Sequence, residues 1–122
     1  MTNNLDLGKR GERIAYNYLR KKGYEVLATN FRFEKTEIDI ICRKDKTIVF
    51  VEVKTRTTEM HGMPEEAVDS KKQEKIVRTA ERFIQANDFL SGDVRFDVVS
   101  VLFDGKKEKL THIKDAFFPY QE

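Results

Sequence analysis

The sequence predicts a small α/β fold, a mixed five-stranded sheet flanked by helices, and three observations carry that prediction. Two segments repeat apolar residues at helical spacing. Five others are short, apolar or alternating, and bounded by polar turns. The second helical segment falls between the third and fourth strands, where it permits a parallel crossover; the short connections elsewhere favour antiparallel hairpins.

The first helix runs from about Leu5 to Lys22, with Ile14, Ala15, Tyr18 and Leu19 as its apolar stripe and Gly23 as its stop. Glu12 lies one turn before Ala15 and Tyr16, at the edge of that stripe. Gly8 and Gly11 cost helicity; they fit either a close approach to a sheet or phosphate, or a frayed start. Strands are expected at Tyr24 to Phe33, Glu37 to Arg43 and Thr47 to Thr55. The stretch from Thr57 to Glu66, with His61, Gly62 and Pro64, reads as a loop beside the end of the third strand. Ser70 and Gln73 resemble a capping box for a helix from about Lys71 to Ala86, with Ile76, Ala80, Phe83 and Ile84 on one side. Its basic first turn, Lys71, Lys72 and Lys75, opposes the helix dipole, so the lysines are either solvated or offset by an anion. A fourth strand follows from Val94 to Phe103, then a tight DGKK turn and a final strand or extended edge from Leu110 to Phe117.

The 122 residues suit one domain, 1–122, and the 39% hydrophobic and 36% charged composition suits a soluble, folded one. A net charge of +2 neither requires nor excludes a polyanionic partner. One cysteine, Cys42, and two histidines exclude an intrachain disulfide and any cysteine or histidine metal cluster. Charge interrupts the first residues, which do not read as a signal peptide, and no stretch reaches the roughly 20 apolar residues of a membrane span. The expectation is a cytoplasmic protein with no membrane partner.

The chemistry concentrates in TEIDIICRKDKTIVFVEVKTR. Side chains alternate along a strand, so Glu37 and Asp39 are expected on one side, with Ile38 and Ile40 on the other. By the same rule Glu52, Lys54 and Arg56 oppose Val49, Val51 and Val53, which suggests a sheet covered on one face with a cleft on the other. Adjacent buried acids repel unless a cation joins them. Asp39 and Glu52 offer the hard oxygens that magnesium takes alongside water and phosphate, and Lys54 can orient a water or stabilise phosphate charge. The competing reading is a solvated face with cross-strand ion pairs, such as Asp39 with Lys54.

The segments GKRGERIAYNYLRKKGYEVLATNFRF, EIDIICRKDKTIVFVEVKTR, HGMPEEAVDSKKQEKI and RFDVVSV together resemble the YraN-type family of small uncharacterised bacterial proteins, over nearly the whole chain. That family is similar to archaeal Holliday junction resolvases and is placed with the restriction-endonuclease-like fold. The resemblance implies a magnesium-dependent DNA endonuclease, with manganese as the alternative ion. It maps Glu12 to the acid of the first helix, Asp39 to the acid of EID, and Glu52 with Lys54 to the ExK pair. Glu12, Asp39, Glu52 and Lys54 are then the expected catalytic set, and Asp39, Glu52 and Glu12 the metal ligands; on the residues alone, the favoured reading of Glu12 is a surface helix acid.

Arg56 and Lys71 are the candidate phosphate contacts, as a planar fork and a point charge. Phosphate and metal chemistry without groove-reading groups favours DNA recognised by structure, such as a branch, over a base sequence. Symmetric cutting of a four-way junction needs two sites, most simply in a homodimer. The alternative is a non-catalytic nucleic-acid-binding or protein-interaction module. Glu37 is expected to pair with Lys54 or another lysine, Arg95 and Asp97 to brace the fourth strand, His112 to pack at a sheet edge, and Cys42 to be core.

Overall fold

The computed structural model describes residues 4–58, 69–87 and 92–117. Helix α1 (Asn4–Lys21) precedes strands β1 (Glu25–Phe33), β2 (Thr36–Lys44) and β3 (Thr47–Thr57); helix α2 (Ser70–Ala86) precedes β4 (Asp93–Asp104) and β5 (Lys107–Ile113). The sheet order is β1-β2-β3-β4-β5, antiparallel except for the parallel β3–β4 pair that spans α2. This is the predicted mixed five-stranded α/β architecture. The loop expected around His61, Gly62 and Pro64 lies outside the described residues from 59 onward.

The last strand is displaced from its expected place. A two-residue turn at Gly105 and Lys106 lets Asp104 pair directly with Lys107, so β5 starts earlier than Leu110 and ends at Ile113. Beyond it the chain leaves the ladder: Asp115 takes a positive φ of 52°, Ala116 donates to the Phe96 carbonyl, and Phe117 stacks on the Phe96 ring.

Both faces of the sheet are covered, contrary to the one-sided expectation. Ala15 and Leu19 of α1 pack with Val49, Val51, Val99 and Val101, while Ile76, Ala80 and Phe83 of α2 pack with Ile41, Phe50, Phe96 and Val98. The reason is alternation itself: β3 and β4 are apolar on both sides, as parallel strands roofed by helices must be. Each fully buried side chain of this size contributes about 1.5–3 kcal/mol of burial free energy. Gly11 decides between its two readings, because a Cβ there would overlap Thr55 Oγ1 of β3. The glycine lets α1 lie close on the sheet, whereas Gly8 one turn earlier opens onto a cleft.

Helix α2 starts one residue before the expected Lys71, and its cap is Asp69 where Ser70 was expected. The Asp69 carboxylate accepts the Lys72 backbone N–H at 2.8 Å, and its carbonyl accepts the Gln73 N–H at 2.9 Å. Such a cap is worth about 1 kcal/mol. It also places an acid at the positive end of the helix dipole, which offsets the basic first turn.

Candidate functional site

The site begins with a break in strand alternation. Ile38 and Ile40 were expected on one side; Ile38 instead joins the core under α2 and Ile40 the core under α1. Across the ladder, Phe31 pairs with Ile38 and Thr29 with Ile40, so Asn30 stands opposite Asp39, and Asn30 has a φ of 51°. A residue in the left-handed region interrupts the pleat, and asparagine tolerates that better than most. Both strands change facing at this point.

At the same position β2 leaves β3, whose described ladder with it ends at Ile40 and Val51. The Asp39 side chain continues the pairing in place of backbone, its Oδ2 accepting the Val53 N–H at 2.7 Å. Asp39 is thereby fixed beside β3. Regular parallel pairing with β4 sets Glu52 opposite Val98 and Lys54 opposite Ser100. Glu52 lies on the α2 side with Phe50 and is only 5% exposed.

Of the three lysines in the basic first turn of α2, one meets the nearby anion that the sequence reading offered as an alternative. Lys72, in the first turn of α2, brings Nζ to 3.6 Å from Glu52 Oε2. Glu52 Oε1 is buried and has no hydrogen-bond partner among the described residues. A buried acceptor left unpaired costs about 1–3 kcal/mol, more for a charged group. The neighbouring Lys71 lines the same cleft but is exposed. One residue is a rotation of about 100° on a helix, enough to turn Lys72 inward and Lys71 outward.

The electrostatics are crowded. Burial and the nearby Glu52 push the Asp39 carboxyl up to about 7, against the pull of the Val53 N–H, and Glu12 and Glu37 add to the rise. Burial also raises Glu52, though Lys72 and Lys54 pull it back. Burial and the adjoining Lys72 hold Lys54 below the usual lysine range. Burial pulls Lys72 down as well, but its hydrogen bond to Lys54 and the charges of Glu52 and Asp39 leave it above that range. Two carboxyls and two amines thus share one half-dry corner.

Asp39 lines two clefts. One, of about 640 Å³, holds Glu37, Glu52, Lys54, Lys71 and Lys72 beneath the start of α2. The other, of about 630 Å³, runs under α1 and is lined by Lys9, Glu12, Arg13, Tyr16 and Asn30. Both volumes fall in the range of ligand sites. The structure therefore brings Asp39, Glu52 and Lys54 together, whereas Glu12 stands on the α1 side, accepting a hydrogen bond from Asn30 Nδ2 at 3.2 Å. Among the described residues no three acid, histidine or cysteine side chains converge as a metal-ligand group. Arg56 continues the Glu52 and Lys54 face of β3, opposite Leu102. Glu37 pairs with Arg32 at 3.6 Å, not with a lysine, because the cross-strand register makes these two direct neighbours.

A second polar cluster lies in the sheet interior. Asp97 is fully buried and takes Arg95 Nε at 2.9 Å, Arg95 Nη2 at 2.8 Å, His112 Nε2 at 2.7 Å and the Asp115 N–H at 3.1 Å. Arg95 also donates to the Tyr24 hydroxyl at 2.8 Å, and Tyr18 Oη meets His112 Nδ1 at 3.0 Å. The expected Arg95–Asp97 brace is present, and His112 belongs to it. Burial alone would raise Asp97, but the bonds from His112, Arg95 and Asp115 outweigh it and hold the carboxyl below its ordinary value. Cys42 is core as expected, its thiol pushed up to about 12 by burial and hence inert.

Comparison with known proteins gives one family. The sequence model of the uncharacterised protein family UPF0102 matches residues 11–101. A UPF0102 protein of Caldicellulosiruptor bescii is 52% identical, covering 91% of this chain and 96% of its own length. Those of Caldanaerobacter subterraneus and Syntrophomonas wolfei are 46% and 44% identical, over 94% and 93% of this chain and 97% and 99% of theirs. These matches bear out the YraN-type resemblance. No helix among the described residues is long and apolar enough to cross a membrane.

Proposed function

The chain belongs to the UPF0102 family, and we propose that it is a magnesium-dependent, structure-selective DNA endonuclease of the restriction-endonuclease-like kind. The observation that carries the reading is the buried Glu52 carboxylate, with one oxygen unpartnered, next to an Asp39 whose proton loss is suppressed. Frustrated carboxyls of this kind fit a hard cation, and magnesium commonly takes only one or two carboxylates, completing its sphere with water and substrate phosphate. Asp39 and Glu52 are the residues that would hold the ion, and Glu12 stands near enough to influence Asp39 electrostatically. When bound, magnesium, or manganese in its place, supplies Lewis-acid polarisation of the phosphate and a more acidic water.

The remaining work falls to the chain. Lys72 pairs with Glu52 in the free protein and would be released for the phosphate when the acids gain another cation. Lys54, half-buried with its pKa lowered, is suited to accept or orient a water proton and to stabilise charge developing on the phosphate. Base readout requires groups set into a groove, whereas this corner presents carboxyls and cations, so structure is the recognised feature. A four-way junction is the natural trial substrate, and a homodimer would supply its two cuts.

The test measures cleavage of a four-way junction, magnesium affinity and fold for the parent and Glu52→Gln. Loss of cleavage with the fold intact is expected, together with weakened magnesium binding by calorimetry. Equal cutting at equal magnesium dependence in both proteins would dismiss this centre. The Lys72–Glu52 pair favours one second reading, a binding module in which lysine is the permanent counter-ion. That reading gains if the parent binds DNA without any divalent ion and Asp39→Ala changes neither binding nor metal uptake.

A further inference from the structure

The outer face of α2 carries a row of cations that the acid site does not use. Lys71, Lys75, Arg78 and Arg82 are all exposed and recur at i, i+4, i+7 and i+11. At 3.6 residues per turn they occupy a strip about 60° wide and about 16 Å long. The opposite stripe, Ile76, Ala80 and Phe83, is buried against the sheet. Glu74 and Glu81 flank the strip on one side and do not enter it.

The row is continuous with the acid corner. Lys75 lines the cleft that contains Asp39 and Glu52, and it also lines a second trough, about 520 Å³, with Arg78 and the β1–β2 turn at Glu34 and Lys35. Lys35 and Thr36 are shared by both hollows. At the far end the Arg82 guanidinium sits 5.4 Å over the Phe33 ring, which holds the last cation against the same hairpin. Glu34 is the one acid lining the trough, against Lys35, Lys75 and Arg78; at the cleft end Glu37, Asp39, Glu52 and Asp69 stand beside the lysines.

We infer that this row is the bed of one DNA strand, which runs from the Asp39–Glu52 corner along α2 and past the β1–β2 turn. The row is long enough to meet several successive phosphates of one strand. The contacts reach phosphate and no base edge, in keeping with recognition of an arm by its backbone. The inference rests on the nucleic-acid part of the proposed function and not on cleavage.

The test is binding of a duplex and of a four-way junction in metal-free buffer, titrated with salt. Lys75→Ala/Arg78→Ala should lower the log–log salt slope for duplex by about 1.8, at about 0.9 per phosphate contact. Lys107→Ala/Lys109→Ala removes the same charge from β5, an edge strand at the far side of the sheet, and should leave the slope unchanged. The metal-free buffer separates strand binding from the metal chemistry of the acid centre. An unchanged slope in the α2 variant, or an equal fall in the β5 control, overturns the strand path while leaving the acid centre open to its own test. Displacement of DNA by polyglutamate as readily as by an equal charge of competitor DNA would also overturn it, in favour of an acidic polypeptide. Absence of DNA binding by the parent at low salt removes the strand path and the nucleic-acid reading together.

Discussion

Two aspartates in neighbouring parts of one sheet, Asp97 buried and Asp39 half-buried, are treated in opposite ways. Asp97 is enclosed by Arg95, His112 and the Asp115 N–H, and its carboxyl is held below the ordinary value. Asp39 receives one backbone N–H, lies beside a second acid with an unpartnered oxygen, and is pushed up to about 7. Burial penalises both charges; only the first has enough donors to overcome that penalty. A satisfied cluster reads as a brace, and a frustrated one at a cleft reads as a place for a ligand. The contrast can be broken by mutation.

The largest effect should come from the satisfied side. Asp97→Ala leaves Arg95 and His112 facing an empty buried position and should lower stability by about 3–5 kcal/mol, the usual cost of removing one partner of a buried ion pair. Asp39→Asn should instead leave metal-free stability unchanged or increased, because it removes a charge that the fold resists. Urea melts of both variants check the pair of signs. If Asp39→Asn were as costly as Asp97→Ala, Asp39 would belong to the structural class.

Next in size is the close approach at Gly11. Alanine there must displace Thr55 Oγ1 and push α1 from β3, with an expected loss of about 1–3 kcal/mol. Since α1 also carries Glu12 and the rim of one cleft, thermal melts alongside magnesium binding show whether the helix position supports the acid corner. Gly8→Ala, where nothing lies within 4 Å, should gain stability or leave it unchanged.

The two aspartates should also give opposite pH slopes. Folded Asp39 keeps its proton up to about pH 7, whereas the unfolded chain releases it near 3.8. Between those values the native state binds more protons, so this group makes stability fall as pH rises from about 4 to 7. Asp97 has the reverse sign: its contribution is fully present above the unfolded value and is lost as pH falls through the lowered folded one. Asp39→Asn should therefore flatten the decline between pH 5 and 7 and leave the acid-side loss in place. A decline of the same steepness in parent and variant would assign it to other groups.

The sequence exposed one of these regions better than the other. Asp39 and Glu52 were legible because a short hairpin makes their strands neighbours, and ExK with a preceding acid is a local pattern. The Asp97 brace was legible only as far as Arg95, two residues away. Tyr24 lies 71 residues from Arg95, and Tyr18 lies 94 from His112; such partners depend on the tertiary fold and leave no spacing to read. The choice of Lys72 over Lys71 depends on the rotation of α2 against the sheet, which no single-helix pattern supplies. The swap of Ile38 and Ile40 between cores occurs opposite a positive φ at Asn30 of the neighbouring strand, and alternation rules have no term for it. Local periodicity gave the elements, whereas the facing at the site came from a local exception.

The smallest effect is the most selective test of the brace. His112 Nε2 must carry a proton to reach the Asp97 carboxylate, which only accepts, so in a neutral ring Nδ1 is the acceptor and the Tyr18 hydroxyl the donor. Tyr18→Phe removes that hydroxyl but keeps the ring that meets His112 edge-on, with centroids 5.5 Å apart. The loss should be about 1 kcal/mol, the net worth of one such hydrogen bond. Because the bond holds the brace and touches neither cleft acid, magnesium affinity and any junction cleavage should equal those of the parent. Equal melts with altered magnesium binding would reverse the division drawn here, joining the satisfied aspartate to the frustrated one through β4. A small stability loss with unchanged binding keeps the two regions separate, one holding the sheet and the other free to take a ligand.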